Sequence, residues 1–269
     1  MSKVSDAVRL AAVRADAIEA RQVQRELQST AGLVIPTESA DVRPEIRLVA
    51  HTDPQGPTAD RLRYLRLRLN QVSDTEKIKR LLITSPKPHD GKSTFALNLA
   101  VTLTEDGRRT VLLVEGDLHR PMVSEHLGLA GRPGVAECLM GAAQPYSLIR
   151  HIEPFRFNFL PAGNAKGNPG ELLHVQSLRA MIESLTPHFD WILIDSPPVT
   201  PLADTLSWKQ CADATLLIAR AGRTPARAVE EAVDLITKKH ILAIVLNGIE
   251  DIDDIYKKYY RAYGRLPSA

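Results

Sequence analysis

Six apolar runs rich in β-forming residues, at 80–85, 110–114, 155–160, 190–194, 214–219 and 241–246, constrain this chain more than any other feature. A strand with one wet face alternates apolar and polar residues. Most of these runs are near-continuously apolar at their centres, so both faces must be covered. Between several of them lie helix-like segments, 93–105, 172–185, 202–210 and 226–239. The alternation predicts an α/β fold, a mostly parallel central sheet with helices on both faces. Ligands in such sheets bind beyond the carboxyl ends of the strands, so the polar residues closing each run are where function is to be sought.

The first run, Leu81-Leu82-Ile83, breaks into a turn ending Pro88-His89-Asp90-Gly91 and restarts at Lys92-Ser93-Thr94. A helical pattern continues through Phe95, Leu97, Leu99, Ala100, Val101 and Leu103. Strand, loop and helix with Gly-Lys-Ser at the junction is the context of a P-loop NTPase. Such a turn aims backbone N–H groups over 88–94 and a helix N-terminus at an oligophosphate. Lys92 would reach the outer phosphates and the Ser93 hydroxyl would ligate Mg2+. Pro86 stands where the motif G-x-x-x-x-G-K-[ST] has its first glycine, so an ordinary Gly-Lys-Ser turn stays open on spacing alone. Two further strand ends carry acids: Glu115-Gly116-Asp117 after Val114, and Asp195 after Ile194. Each alone fits a helix cap as well as a magnesium holder; together with Gly91-Lys92-Ser93 they favour a metal–phosphate site.

The chain's 269 residues suffice for one large α/β domain with appendages, and a net charge of +2 gives no reason to expect nucleic acid as a partner. Cys138 and Cys211 make no disulfide framework and suit a reducing cytoplasm. No apolar run approaches the roughly 18 residues of a membrane span and no signal peptide opens the chain, so a soluble protein is expected. Residues 1–28 read as a helical segment with a thin apolar stripe, either solvated or docking a partner. Residues 29–58, with prolines at 36, 44, 54 and 57, read as a linker, and 59–250 as the main domain. Residues 60–69 place Leu62, Leu65 and Leu69 on one helical face and Asp60, Arg63 and Arg66 on another. A helix capped by Thr58 or Asp60 is preferred to a strand; its arginines are a solvated face or a self-association surface.

The stretches Ser85–Thr94, Val111–Leu118 and Trp191–Pro198 resemble the Walker A, A′ and B motifs of bacterial tyrosine kinases, the P-loop autokinases of capsule and exopolysaccharide assembly. The segments 168–173, 220–224 and 245–248 resemble the same family, and Asp60-x-x-Arg63-x-x-Arg66 is similar to its Glu-x-x-Arg-x-x-Arg ring-assembly motif. The resemblance implies ATP and Mg2+ as cofactors and Lys92, Glu115, Asp117 and Asp195 as catalytic residues. Pro88, His89, Asp90, Gly91, Lys92, Ser93, Thr94 and Asn247 would bind ATP, the last at adenine; Ser93, Asp117 and Asp195 would hold the metal, and Glu115 would orient the acceptor hydroxyl. Tyr256, Tyr259, Tyr260 and Tyr263 crowd the C-terminal 251–269. They read either as a packed aromatic helix face or, preferred here, as a mobile autophosphorylated tail. The resemblance further implies a ring through Asp60, Arg63 and Arg66, and a membrane-bound chain-length regulator as activator. The location would be cytoplasmic, at the inner membrane through that partner. His89, Glu115 and His119 stand where the family carries Gly, Asp and Arg, changes that nucleotide binding should survive better than catalysis. The competing readings are a MinD- or ParA-type dimeric ATPase, for which Lys87 has suitable spacing from Lys92, and an ATP-binding scaffold.

Overall fold

The computed structural model describes residues 35–40, 42, 44–200 and 203–249. The chain divides into two units, Met1–Ile35 and Pro36–Ala269. The expected N-terminal helix and the tyrosine-rich tail both lie outside the described residues.

Strands β1 (Thr37–Ser39), β2 (Arg80–Thr84), β3 (Val111–Glu115), β4 (Arg150–Glu153), β5 (Phe157–Leu160), β6 (Trp191–Asp195), β7 (Ala214–Arg220) and β8 (Ile241–Asn247) form one sheet, in the order β1-β4-β5-β3-β6-β2-β7-β8. All neighbours run parallel except the pair β4–β5. The helices are α1 (Val49–Thr52), α2 (Pro57–Glu76), α3 (Lys92–Thr104), α4 (Met122–His126), α5 (Val135–Leu139), α6 (Pro145–Leu148), α7 (Val175–Leu185), α8 (Asp204–Lys209) and α9 (Ala226–Ile236).

The six apolar runs are strands β2, β3, β5, β6, β7 and β8. Leu81, Ile83, Val111, Leu113 and Leu193 join Leu97, Ala100 and Leu103 of α3 and Leu62 and Leu69 of α2 in one core. The alternate residues Leu82, Leu112, Ile192 and Ile194 are equally inaccessible to solvent, so both faces of the sheet centre are covered. β1 and β4 escape a reading by apolar runs because they are short and polar, as suits strands towards an edge.

Residues 60–69 are helical, as preferred. The helix starts earlier, behind Gly56 with Pro57 in its first turn. Thr58 and Asp60 therefore lie inside that turn and do not cap it, and the Asp60 charge opposes the helix dipole favourably. The reading of 29–58 as a linker needs correction. From Thr37 onward the segment belongs to the domain: β1 pairs with β4, and Ala40, Ile46 and Leu48 enter the core. Proline content misleads here because prolines between short elements look like a tether.

The topology sets β3, β6 and β2 side by side in register, with Glu115 opposite Asp195 and Asp195 opposite Ile83. Three strand tips thus end at one level.

Candidate active site

The loop from Ser85 to Gly91 leaves β2 and enters α3 through Gly91, whose φ of +90° few L residues adopt. No side chain caps α3, which leaves its leading N–H groups for an anion. His89 also has positive φ, +67°, a conformation that costs an L residue roughly 1–2 kcal/mol. The turn is braced from within and from the neighbouring strands. Asp90 is the centre of the brace: its carboxylate accepts from Lys87 N at 3.0 Å and from Thr224 Oγ1 at 2.7 Å. Thr224 is fixed in turn by the Arg220 N–H, which donates to its hydroxyl at 2.7 Å. Asn247, at the end of β8, donates from Nδ2 to the Asp90 carbonyl at 3.0 Å.

Lys92 extends to the tips of β3 and β6. Its ammonium lies 3.1 Å from Asp117 Oδ2, 3.3 Å from Ser93 Oγ and 4.0 Å from Asp195 Oδ1. Burial pulls the Lys92 pKa down, but Asp195 and Asp117 outweigh it and the net direction is up. Asp117 also accepts from Arg120 N at 3.0 Å, which closes the turn after β3. Gly116 between the two acids is required by packing: a Cβ there would sit 2.7 Å from the Trp208 ring, whose Nε1 donates to the Gly116 carbonyl at 3.0 Å.

Asp195 is the unfinished part of this arrangement. Neither carboxylate oxygen has a hydrogen-bond partner of good geometry, although both are buried. Burial raises its pKa against the pull of Lys92 and the nearby Ser93 hydroxyl. A buried anion left so is costly unless a cation completes it. Among the described residues no three His, Cys, Asp or Glu side chains converge as a metal cage. Mg2+ needs none, since it binds through one or two carboxylates, substrate phosphates and water. The residues therefore fit Mg2+ with a nucleotide.

Glu115 is elsewhere than expected. It is fully buried, and its oxygens accept from Ser124 N at 2.9 Å, from the Ser124 hydroxyl and from Ala162 N at 3.1 Å. Burial raises its pKa to about 7. It ties β3 to α4 and to the segment after β5, and it does not present a carboxylate to an acceptor hydroxyl.

A cleft of about 560 Å³ opens over the loop, with Pro88, His89, Gly91, Lys92, Ser93 and Thr94 on one side. Asp117, His119, Arg120 and Met122 face it from the β3 side, Arg220 from the end of β7 and Arg223 from the turn after it. His119 is held by Asp204, Nε2 to Oδ2 at 2.9 Å. Sequence reasoning missed the Asp90–Thr224 brace and the basic wall. Thr224 was visible only as the end of segment 220–224, with no role attached to it.

Asp60, Arg63 and Arg66 belong to a different place. Arg63 pairs with Asp60 at 2.9 Å and with Glu105 at 2.7 Å, and Arg66 meets Glu105 at 3.1 Å. Glu105 follows the last turn of α3, about 20 Å along the helix from Lys92.

No family model matches the chain. It is 28% identical over 219 residues to the putative tyrosine-protein kinase CapB of Staphylococcus aureus, covering 81% of this chain and 95% of that protein. It is 29% identical over 226 residues to the succinoglycan biosynthesis transport protein ExoP of Rhizobium meliloti, covering 79% of this chain but 28% of that one. Among solved structures it is similar to the BceF tyrosine kinase domain, with 27% identity, a TM-score of 0.68, and 85% and 89% of the two chains covered. Fold alone is shared with the septum site-determining protein MinD of Pyrococcus horikoshii, solved with Mg-ADP, at 24% identity, a TM-score of 0.55, and 67% and 76% coverage. On motifs that converge at three adjacent strand tips, the chain is thus similar over most of its length to CapB and to the BceF tyrosine kinase domain.

Proposed function

We propose that the chain is an ATP-dependent protein-tyrosine autokinase, acting on Tyr256, Tyr259, Tyr260 and Tyr263 of a neighbouring copy. The observation that carries this reading is Asp195, a buried carboxylate without a hydrogen-bond partner, beside the ammonium and hydroxyl of Gly91-Lys92-Ser93. Backbone N–H groups of the loop hold the phosphates, and Lys92 leaves its acids to neutralise the β- and γ-phosphates. Ser93 and Asp195 would hold Mg2+ directly and Asp117 through water; bound there, the ion would offset charge on the β- and γ-oxygens. The tyrosine oxygen forms a bond to the γ-phosphorus, the bond from that phosphorus to the β–γ bridging oxygen breaks, and ADP leaves. The phenolic proton goes to Asp117, the acid that lines the cleft. A loose transition state asks little base strength of it. Asn247 serves the loop turn in this reading, not adenine.

Asp60, Arg63 and Arg66 would exchange their contacts within the chain for a ring interface. Roughly two negative charges per phosphotyrosine then weaken the ring by repulsion between tails. The polysaccharide role, the membrane-bound activator and the cytoplasmic location rest on the family resemblance and on relatives such as ExoP. No described helix is long and apolar enough to cross a membrane. The test is incubation with Mg-ATP and mapping of phosphotyrosine by mass spectrometry, with Lys92→Met as control. Tail phosphotyrosine in the wild type alone supports the kinase. Phosphate release without it identifies a MinD-type ATPase, and neither product identifies a scaffold.

A further inference from the structure

The cleft over the loop is lined by three arginines besides Lys92. Arg120 faces it from one side, and Arg220 and Arg223 from the other. Among the described residues none of these three guanidiniums meets a carboxylate. Lys92 already has Asp117 and Asp195. Lys92 with its two acids carries −1 and ATP with one Mg2+ about −2, so the three arginines bring the cleft to about neutral with the nucleotide in place, and their local charge, met by no carboxylate among the described residues, faces an acceptor. Such a wall selects an acceptor tyrosine by the charge of its neighbours.

The chain's own tyrosines differ in this respect. Tyr256 follows Glu250, Asp251, Asp253 and Asp254, whereas Tyr259 and Tyr260 follow Lys257 and Lys258, and Tyr263 follows Arg261. Asp254 and Asp253 lie two and three residues before Tyr256, which in extended chain is about 7–10 Å, a reach suited to a cleft rim. We infer that the basic wall of Arg120, Arg220 and Arg223 makes Tyr256 the first acceptor and drives phosphorylation along the tail from Tyr256 towards Tyr263. Each new phosphate creates the flank that the next tyrosine lacks. Phosphotyrosine at 256 stands three and four residues before Tyr259 and Tyr260, and phosphate at those positions stands four and three before Tyr263. Each adds roughly two negative charges where lysines otherwise repel the wall.

This inference rests on the tyrosine-kinase reading of the site. Its test is a time course of tail phosphorylation by site-resolved mass spectrometry on the full chain with Mg-ATP. Tyr256 is expected first, and Tyr256→Phe is expected to slow the appearance of phosphate at 259, 260 and 263 about fivefold or more. Neutralising the flank (Glu250→Gln, Asp251→Asn, Asp253→Asn and Asp254→Asn together) is expected to cut the initial Tyr256 rate by a similar factor. That effect should shrink in high salt, as exposed charge pairs do. With synthetic peptides, Arg120→Ala with Arg223→Ala should raise KM for an acidic-flanked tyrosine and leave that for a neutral-flanked one unchanged. Phosphate appearing at 259, 260 or 263 before or together with 256, or a Tyr256→Phe chain phosphorylated at wild-type rate, overturns the inference and leaves the kinase reading standing. Absence of tail phosphotyrosine altogether overturns both.

Discussion

Replacing Gly91 by alanine tests whether the shape of the loop turn makes the phosphate site. At φ +90°, an L residue costs about 1–2 kcal/mol more than glycine. The added Cβ would also run into Asn247 Nδ2. That amide is the end of a flexible side chain and can swing away, but only by giving up its 3.0 Å bond to the Asp90 carbonyl, about 0.5–1.5 kcal/mol. The sum, about 1.5–3.5 kcal/mol, corresponds to a fall in thermal midpoint of roughly 3–14 °C for a domain of this size. The same strain competes with the phosphate-binding conformation, so Mg-ADP affinity should fall about tenfold or more. Asn247→Ala removes the collision and leaves the backbone strain. In that background Gly91→Ala should cost about 1–2 kcal/mol, and the double-mutant cycle should show a coupling of about 1 kcal/mol. Thermal melts of the four proteins and titration calorimetry with Mg-ADP measure both quantities. A Gly91→Ala protein that melts within a degree of wild type, or equal penalties in the two backgrounds, would refute the reasoning.

Glu115 predicts a pH effect. Its folded pKa, about 7, stands above its ordinary 4.5, so its contribution to stability is complete below about pH 4.5 and is lost as pH rises through 7. Glu115→Gln should flatten that part of the stability profile, worth about 3 kcal/mol at most; equal slopes in denaturation at pH 5.5 and 8.5 would contradict it. Asp195→Asn removes a buried carboxylate that lacks a hydrogen-bond partner. The nucleotide-free protein should melt no lower than wild type, while ADP affinity should become indifferent to Mg2+ or EDTA; a variant that keeps the full Mg2+ enhancement would rule out Asp195 as a metal holder. Arg63→Ala with Arg66→Ala breaks partly exposed ion pairs to Asp60 and Glu105, costing about 1 kcal/mol or less per pair. It should lower the assembly state in analytical ultracentrifugation, and unchanged sedimentation would remove the ring proposal.

The central strands were legible because a strand buried on both faces must be apolar along its middle, as Leu81–Ile83, Val111–Val114, Trp191–Ile194 and Leu216–Ala219 are. The loop was legible because a turn between strand and helix needs particular residues at fixed spacing, and Asp90-Gly91-Lys92-Ser93 supplies them. The outer elements were hidden for the same reason reversed. β1 and β4 lie where a strand is free to be polar, and the short helix of Val49–Thr52 hides among prolines. Glu115 shows the limit at the site. Counting along the strand puts Glu115 and Asp117 on one side. Only the packing of α4, which brings the Ser124 N–H and hydroxyl to the Glu115 carboxylate, makes one acid a buried tie and leaves the other in the cleft.

Sequence by itself determined the parallel α/β sheet, the phosphate loop and the identity of the acids at two further strand ends, since these follow from local periodicity and spacing. Tertiary structure decided which acids share a space. The strand order β3-β6-β2 brings residues 92, 117 and 195 within about one side chain of each other, and Thr224 and Asn247 reach the loop from segments more than a hundred residues away. Contacts between distant segments depend on how strands are ordered and faces covered, and no local pattern encodes that order.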